Sequence, residues 1–202
     1  AESLGRTTSY VAWREPWRVL LGLDDTRPEA EQILLAERVV RTVDDTFARR
    51  LPLLGPVVGL EIPDNDLVAH FDPKLRKESL ENLLAELLAA RLAQTPLLLV
   101  LEDLHWVDPL SADLLHALVR RTADLGVLYL LAYRRDPSAG TPPALAGLPG
   151  FAEIELRDLD ADGMRSVVEA KVEQVFGEGV ATSEAMHSLI ASVAWDEARF
   201  GL

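Results

Sequence analysis

Five residues constrain the fold of this chain most: Leu97-Leu98-Leu99-Val100-Leu101, an unbroken apolar run between Pro96 and the acidic pair Glu102-Asp103. A half-buried surface strand alternates apolar and polar residues, and a membrane helix needs about 20 apolar residues in a row. A run this short and uninterrupted suits a parallel strand buried on both faces. Val127 to Tyr133 is a second run of the kind, and Phe151 to Leu156 a third, weaker and alternating. Between the first two, Asp108-Pro109 opens a helix carrying Leu110, Leu114, Leu115, Leu118 and Val119, with Gly126 closing it. Strand, helix and strand in that order predict right-handed crossovers and a parallel sheet, and hence an α/β fold.

Helices dominate the rest. Thr26-Arg27-Pro28 ahead of Glu29 and Glu31 reads as a helix start, with a hydroxyl cap and acids facing the dipole. Ile33, Leu34, Val39, Val40, Val43 and Phe47 carry its stripe to about Arg50. Prolines 52, 56, 63 and 73 with glycines 55 and 59 mark an irregular connector holding at most short helical turns. Lys74 to Gln94 is a strongly amphipathic helix, with Leu80, Leu83, Leu84, Leu87, Leu88 and Leu92 on one side. Residues 135–150, rich in Pro, Gly, Ser and Ala, read as a surface loop. Asp160 caps a helix carrying Met164, Val167, Val168, Val172, Val175 and Phe176, ended by Gly177, and Ser183 begins one more.

Charge and composition exclude several functions. Twenty Lys+Arg against 33 Asp+Glu give a formal net charge of −13, which repels phosphate backbones and argues against nucleic-acid binding. No cysteine is present, so thiolate metal sites, disulfides and Cys nucleophiles are excluded, and a reducing, cytoplasmic setting fits. No apolar run approaches membrane-spanning length, and the start carries no secretory pattern. The chain opens on Ala1, which predicts processing or a segment of something longer.

In open parallel sheets, ligands sit beyond the carboxyl ends of the strands. Two such ends are suggestive here: Glu102-Asp103-Leu104-His105-Trp106-Val107-Asp108 after the first run, and Arg134-Arg135-Asp136 after the second. Ionised carboxylates are costly to desolvate, but at a strand mouth they stay wet. There they can hold a hydrated Mg²⁺ and polarise a water. Taken alone, the same residues are equally a solvated strand end, with Asp108 as a helix cap and Trp106 as packing. His70, His116 and His187 are scattered and show no metal-ligand spacing.

The segment LLLVLEDLHWVD, followed by PLSADLLHAL, resembles the Walker B segment of the STAND branch of AAA-like P-loop ATPases. Those modules accompany adenylate/guanylate cyclase, LuxR-type regulator and tetratricopeptide modules. LYLLAYRRDP is similar to the family's sensor strand. The opening AESLGRTTSYVAWREPWRVLLGLD resembles the stretch after its second core strand, and FAEIELRDLDADGMRSVV its last core strand and helix. The resemblance implies a three-layer P-loop NTPase-like parallel sheet with flanking and C-terminal helices. It implies ATP and Mg²⁺ as cofactors of the whole protein. Glu102 falls at the metal-coordinating acid, reaching Mg²⁺ through water, and Asp103 at the water-polarising acid. Arg134 falls at the arginine that reads the γ-phosphate, and His105, Trp106 and Asp108 support the loop.

The departures carry equal weight. A phosphate loop needs G-x-x-x-x-G-K-[ST], and none of Lys74, Lys77 or Lys171 follows a glycine-rich turn. The reading is therefore a partial core over residues 1–157, lacking the P-loop strand, with a helical segment over 158–202. Such a chain would bind ATP poorly alone and answer to other domains of its parent, a signalling partner or further copies. A non-catalytic protein-interaction domain on the same scaffold is the alternative. A phosphoacceptor receiver domain also places paired acids after an early strand, but it needs a lysine at the end of the last one, and here Leu156 is followed by Arg157-Asp158.

Overall fold

The computed structural model describes residues 9–134, 144–156 and 159–177. The chain divides into two compact units, Ala1–Ala152 and Glu153–Leu202. In the first unit, helix α1 spans Val11–Leu21 and contains Pro16. An internal proline costs about 3 kcal/mol or more. Trp13, Trp17 and Leu21, spaced at i, i+4 and i+8, offset it by burying one continuous stripe. Gly22, at φ +67°, closes the helix in the left-handed conformation and donates back to the Arg18 and Val19 carbonyls.

Helix α2 spans Glu29–Val43. Its start differs from the expected hydroxyl cap: Thr26 bonds Asp24 instead, and Pro28 precedes the helix without a side-chain cap. It also stops short of Arg50, because Asp44 turns extended and accepts from the Thr46 amide, initiating a 3₁₀ segment over Asp45–Leu54. Only Gln32, Ala36 and Val40 of α2 are buried, so the inward stripe differs from the one read above. A four-residue helix α3, Gly55–Val58, and a 3₁₀ turn at Val68–His70 follow. The connector thus holds short turns as expected, and it also builds core: Leu53, Leu54, Val57, Val58 and Val68 are all buried.

Helix α4 spans Pro73–Leu92, begun by Asp72, whose carboxylate accepts from the Leu75 amide at 2.7 Å. Six of its seven leucines (80, 83, 84, 87, 88 and 92) are buried as their spacing predicts, while Leu75 in the first turn is exposed. Strand β1 (Leu97–Leu101) and strand β2 (Val127–Leu131) pair in parallel, Leu97 opposite Val127 through Leu101 opposite Leu131. Helix α5 (Pro109–Arg121) connects them and ends at Arg121, with Thr122 rather than Gly126 at its C-cap.

One expectation fails at the sheet. The two strands are buried on one face only: Leu98 and Val100 of β1 are 58% and 44% exposed, and Leu128 and Leu130 of β2 are 64% and 54% exposed. Their register sets these four side chains in opposed pairs on the same side of the sheet. Among the described residues no third strand pairs with either edge. Residues 151–156, expected as a strand, have no regular structure and are exposed. The described part is therefore a mixed α/β structure with a two-stranded parallel sheet and flanking helices. In the second unit, helix α6 spans Ala161–Phe176, capped by Asp160 accepting from the Gly163 amide at 2.8 Å. Val168 and Val172 are its buried pair, while Val167 and Val175 are exposed. The helix expected from Ser183 lies outside the described residues, as does most of the 135–150 loop.

Candidate functional site: a bulge at the end of β1

The acids lie where the ladder between the strands changes. Along the paired region, β1 and β2 exchange hydrogen bonds in parallel register, and Ala132 continues the pattern by donating to the Leu101 carbonyl at 2.9 Å. A regular ladder would return the next bond from residue 103. Instead the Leu104 amide donates to the Ala132 carbonyl at 3.0 Å. One residue of β1 is therefore extra, and Glu102-Asp103 bulges out between two bonds to a single partner. Asp103 absorbs the extra residue by adopting φ 56°, ψ 35°. Left-handed backbone is costly for most L-residues, and Asp is among those that tolerate it best. Both acids are exposed.

The chain then makes a 3₁₀ turn over Leu104–Trp106. Leu104 and His105 point inward, with His105 only 3% exposed. The His105 Nδ1 accepts a long hydrogen bond, 3.4 Å, from the backbone amide of Arg134. Its Nε2 lies 4.0 Å from Asp103 Oδ1. The imidazole also meets the Trp106 ring at a centroid distance of 5.1 Å. Arg134 itself is exposed, three residues past the end of β2. The two strand ends thus bring Glu102, Asp103, His105 and the Arg134 backbone into one place. Asp108 lies apart from this group: buried, it accepts from the Ser111 amide at 3.0 Å and caps α5.

Two features behind the loop carry no clear mark in the sequence. Trp13 of α1 donates from Nε1 to the Ser111 carbonyl at 3.0 Å, tying α1 to the first turn of α5. Tyr10, at φ 62°, is buried ahead of α1. Burial, reinforced by the negative charges of Glu81, Asp108 and Asp113, pushes its phenol up to about 12. Ala132 is the third omission. Its role is purely main-chain, so no side chain could announce it.

The donor set fits one kind of metal. Among the described residues, no three histidines or acids come together as an all-protein cage. Two neighbouring exposed carboxylates suit a Mg²⁺ that keeps most of its waters and shares its shell with phosphate oxygens. A phosphate cradle of glycine-rich turn and lysine is not among these 202 residues.

Residues 2–131 match the sequence profile of the AAA ATPase domain. The chain belongs to the AAA ATPase domain family. The match includes Glu102-Asp103 and both strands, and ends at Leu131, one residue before Ala132 and three before Arg134. AAA ATPase domains generally use ATP with Mg²⁺, in keeping with the carboxylate pair. The chain is also 34% identical over 105 residues to an uncharacterized protein of Rhizobium meliloti (strain 1021). That alignment covers 52% of this chain and 10% of the relative, so the chain spans about a tenth of the relative's length. No solved structure matches. No helix among the described residues is long and apolar enough to cross a membrane.

Proposed function

We propose that this AAA domain supplies the metal and water side of the nucleotide site in a STAND-type regulatory ATPase, residues 97–108 being its Walker B segment. Glu102 holds Mg²⁺ through water, Asp103 polarises the attacking water, and Arg134 reads the γ-phosphate. His105, Trp106 and Asp108 support the loop. The observation that carries this reading is the bulge on Ala132, which turns two adjacent acids out of the β1 end beside the end of β2 that leads to Arg134. Residues 1–157 form the partial ATPase core in this reading, and 158–202 a C-terminal helical segment. Its partners are other domains of the same protein or a signalling protein in the cytoplasm.

The 202 residues alone bind nucleotide poorly. A micromolar site corresponds to about 8 kcal/mol. Hydrogen bonds to charged groups contribute roughly 1.5–3 kcal/mol each, and a phosphate cradle makes several of them. Isothermal titration with Mg-ATP, run on this chain and on a version joined to a glycine-rich phosphate-loop segment, tests the reading. Micromolar binding is expected only in the joined protein, with hydrolysis lost in Asp103→Asn. A joined protein that ignores nucleotide, or an Asp103→Asn variant that turns over normally, refutes it.

A second reading, a non-catalytic interaction domain, draws on the four aliphatic side chains exposed on the sheet face. Its mark would be unaltered partner binding when both acids are neutralised.

A further inference from the structure

The least expected feature of the bulge is a buried histidine with its two ring nitrogens facing different strand ends. The imidazole of His105 is 3% exposed, so neither nitrogen is freely hydrated. A neutral imidazole has one donor and one acceptor nitrogen, and which is which follows from its partners. The Arg134 amide can only donate, so Nδ1 accepts and the ring proton resides on Nε2. That N–H faces Asp103 Oδ1 across 4.0 Å, too long for a formed bond and short enough to close by a small side-chain rotation. The main chain holds everything else still. Leu101 and Leu104 are both bonded to Ala132, and Asp103 is held in left-handed backbone between them. The Asp103 carboxylate can therefore adjust only through its own side-chain torsions, and His105 Nε2 lies within 4.0 Å of it.

We infer that His105 is a positioning residue that couples the two halves of the site, linking the orientation of the Asp103 carboxylate to the position of the Arg134 main chain. When the β2 end shifts, the Arg134 amide that donates to Nδ1 moves with it, the ring turns, and the Nε2–H is offered to or withdrawn from Asp103. The carboxylate is then held for the attacking water or released from it. This rests on the assignment of Asp103 as the water-polarising acid, and it adds a route by which phosphate sensing at one strand end reaches catalysis at the other.

Two separate readouts test it. On the 202-residue chain, ¹⁵N long-range NMR of the imidazoles should show His105 as the Nε2–H tautomer. His105→Asn keeps an acceptor near the Nδ1 position, whereas His105→Phe removes both nitrogens at similar volume. The Arg134 amide resonance should stay close to its parent position in the first and move in the second, while the Asp103 carboxyl ¹³C resonance moves in both. An Nδ1–H tautomer, or an Asp103 carboxyl indifferent to both substitutions, overturns the coupling. Should His105→Phe not fold, His105→Gln, whose amide reaches the Nε2 position with a donor for Asp103 and leaves the Nδ1 position without an acceptor, supplies the complementary pattern. In the protein joined to a phosphate loop, His105→Asn should lower kcat about 10–100-fold, as outer-shell partners do, with little change in KM. An equal loss in a background already carrying Asp103→Glu would show that the effect does not pass through that carboxylate, and would overturn it. A failure of Asp103→Asn to abolish turnover instead removes the underlying assignment and leaves the NMR coupling standing as geometry.

Discussion

Replacing Arg18 with methionine tests the account of what holds the helices together behind the site. Arg18 is a buried cation in α1. Its Nη1 donates to the Val58 carbonyl at 2.9 Å and its Nη2 to Gln32 Oε1 at 2.6 Å, joining α1 to both α2 and α3. The same Nη2 pairs with Asp25, whose side chain is 84% exposed. That exposed end contributes little, because solvent screens it. The buried end matters. Methionine preserves most of the volume, so no cavity term enters, but it leaves a buried carbonyl and a buried amide oxygen without their donor. Each such orphan costs about 1–3 kcal/mol, and removing one member of a buried polar set typically costs about 3–5 kcal/mol in all. For Arg18→Met the expected loss is about 3–4 kcal/mol. In a chain of this size that lowers Tm by roughly 10 °C. Urea unfolding should show a lower midpoint with an unchanged slope. Asp25→Asn is the control and should cost no more than about 0.5 kcal/mol. The reasoning is refuted if Arg18→Met falls within about 1 kcal/mol of the parent, or if Asp25→Asn costs as much as Arg18→Met.

The Tyr10 phenol gives a pH signature. Its pKa is raised from 10.0 to about 12 in the folded chain, so its contribution is fully present below pH 10 and is lost as pH climbs toward 12. Urea midpoints should fall more steeply over that interval in the parent than in Tyr10→Phe; parallel curves would contradict the burial argument. Asp108→Ala removes the α5 cap and should cost about 1–2 kcal/mol by chemical denaturation, with Asp108→Asn retaining most of the stability. A loss of only a few tenths would show the cap to be idle. Gly59 sits at φ +71°, and a Cβ there would lie 2.7 Å from Arg14 Nε, whereas Gly22, at φ +67°, faces open space. Both alanine substitutions should therefore destabilise by about 1 kcal/mol from backbone strain, with Gly59→Ala the worse of the two in a thermal melt.

Much of this architecture can be read from local chemistry. The Asp108-Pro109 and Asp72-Pro73 starts obey capping rules that depend on a few neighbouring residues, and the leucine spacing of α4 names its buried side directly. Helix α1 is harder to foresee because Pro16 sits inside it, and only the long-range burial of Trp13 and Trp17 outweighs that penalty. The apolar runs reveal strands but not their coverage, since Leu98 and Leu99 look alike in sequence and differ only in what lies above and below them. At the site, the carboxylate pair is legible by residue type. The bulge that aims it is not, because it is made by the main chain of Ala132 and the left-handed turn at Asp103.

The uncovered side of the sheet governs how this protein behaves as a reagent. Two short strands that no third strand flanks among the described residues, with four aliphatic side chains exposed on one surface, invite lateral stacking between molecules. Soluble yield should fall as concentration rises, and a lone lysine at Leu128 or Leu130 should act as a gatekeeper against it. Because Leu99 and Leu101 face the opposite way, that remedy leaves the packing beneath them untouched.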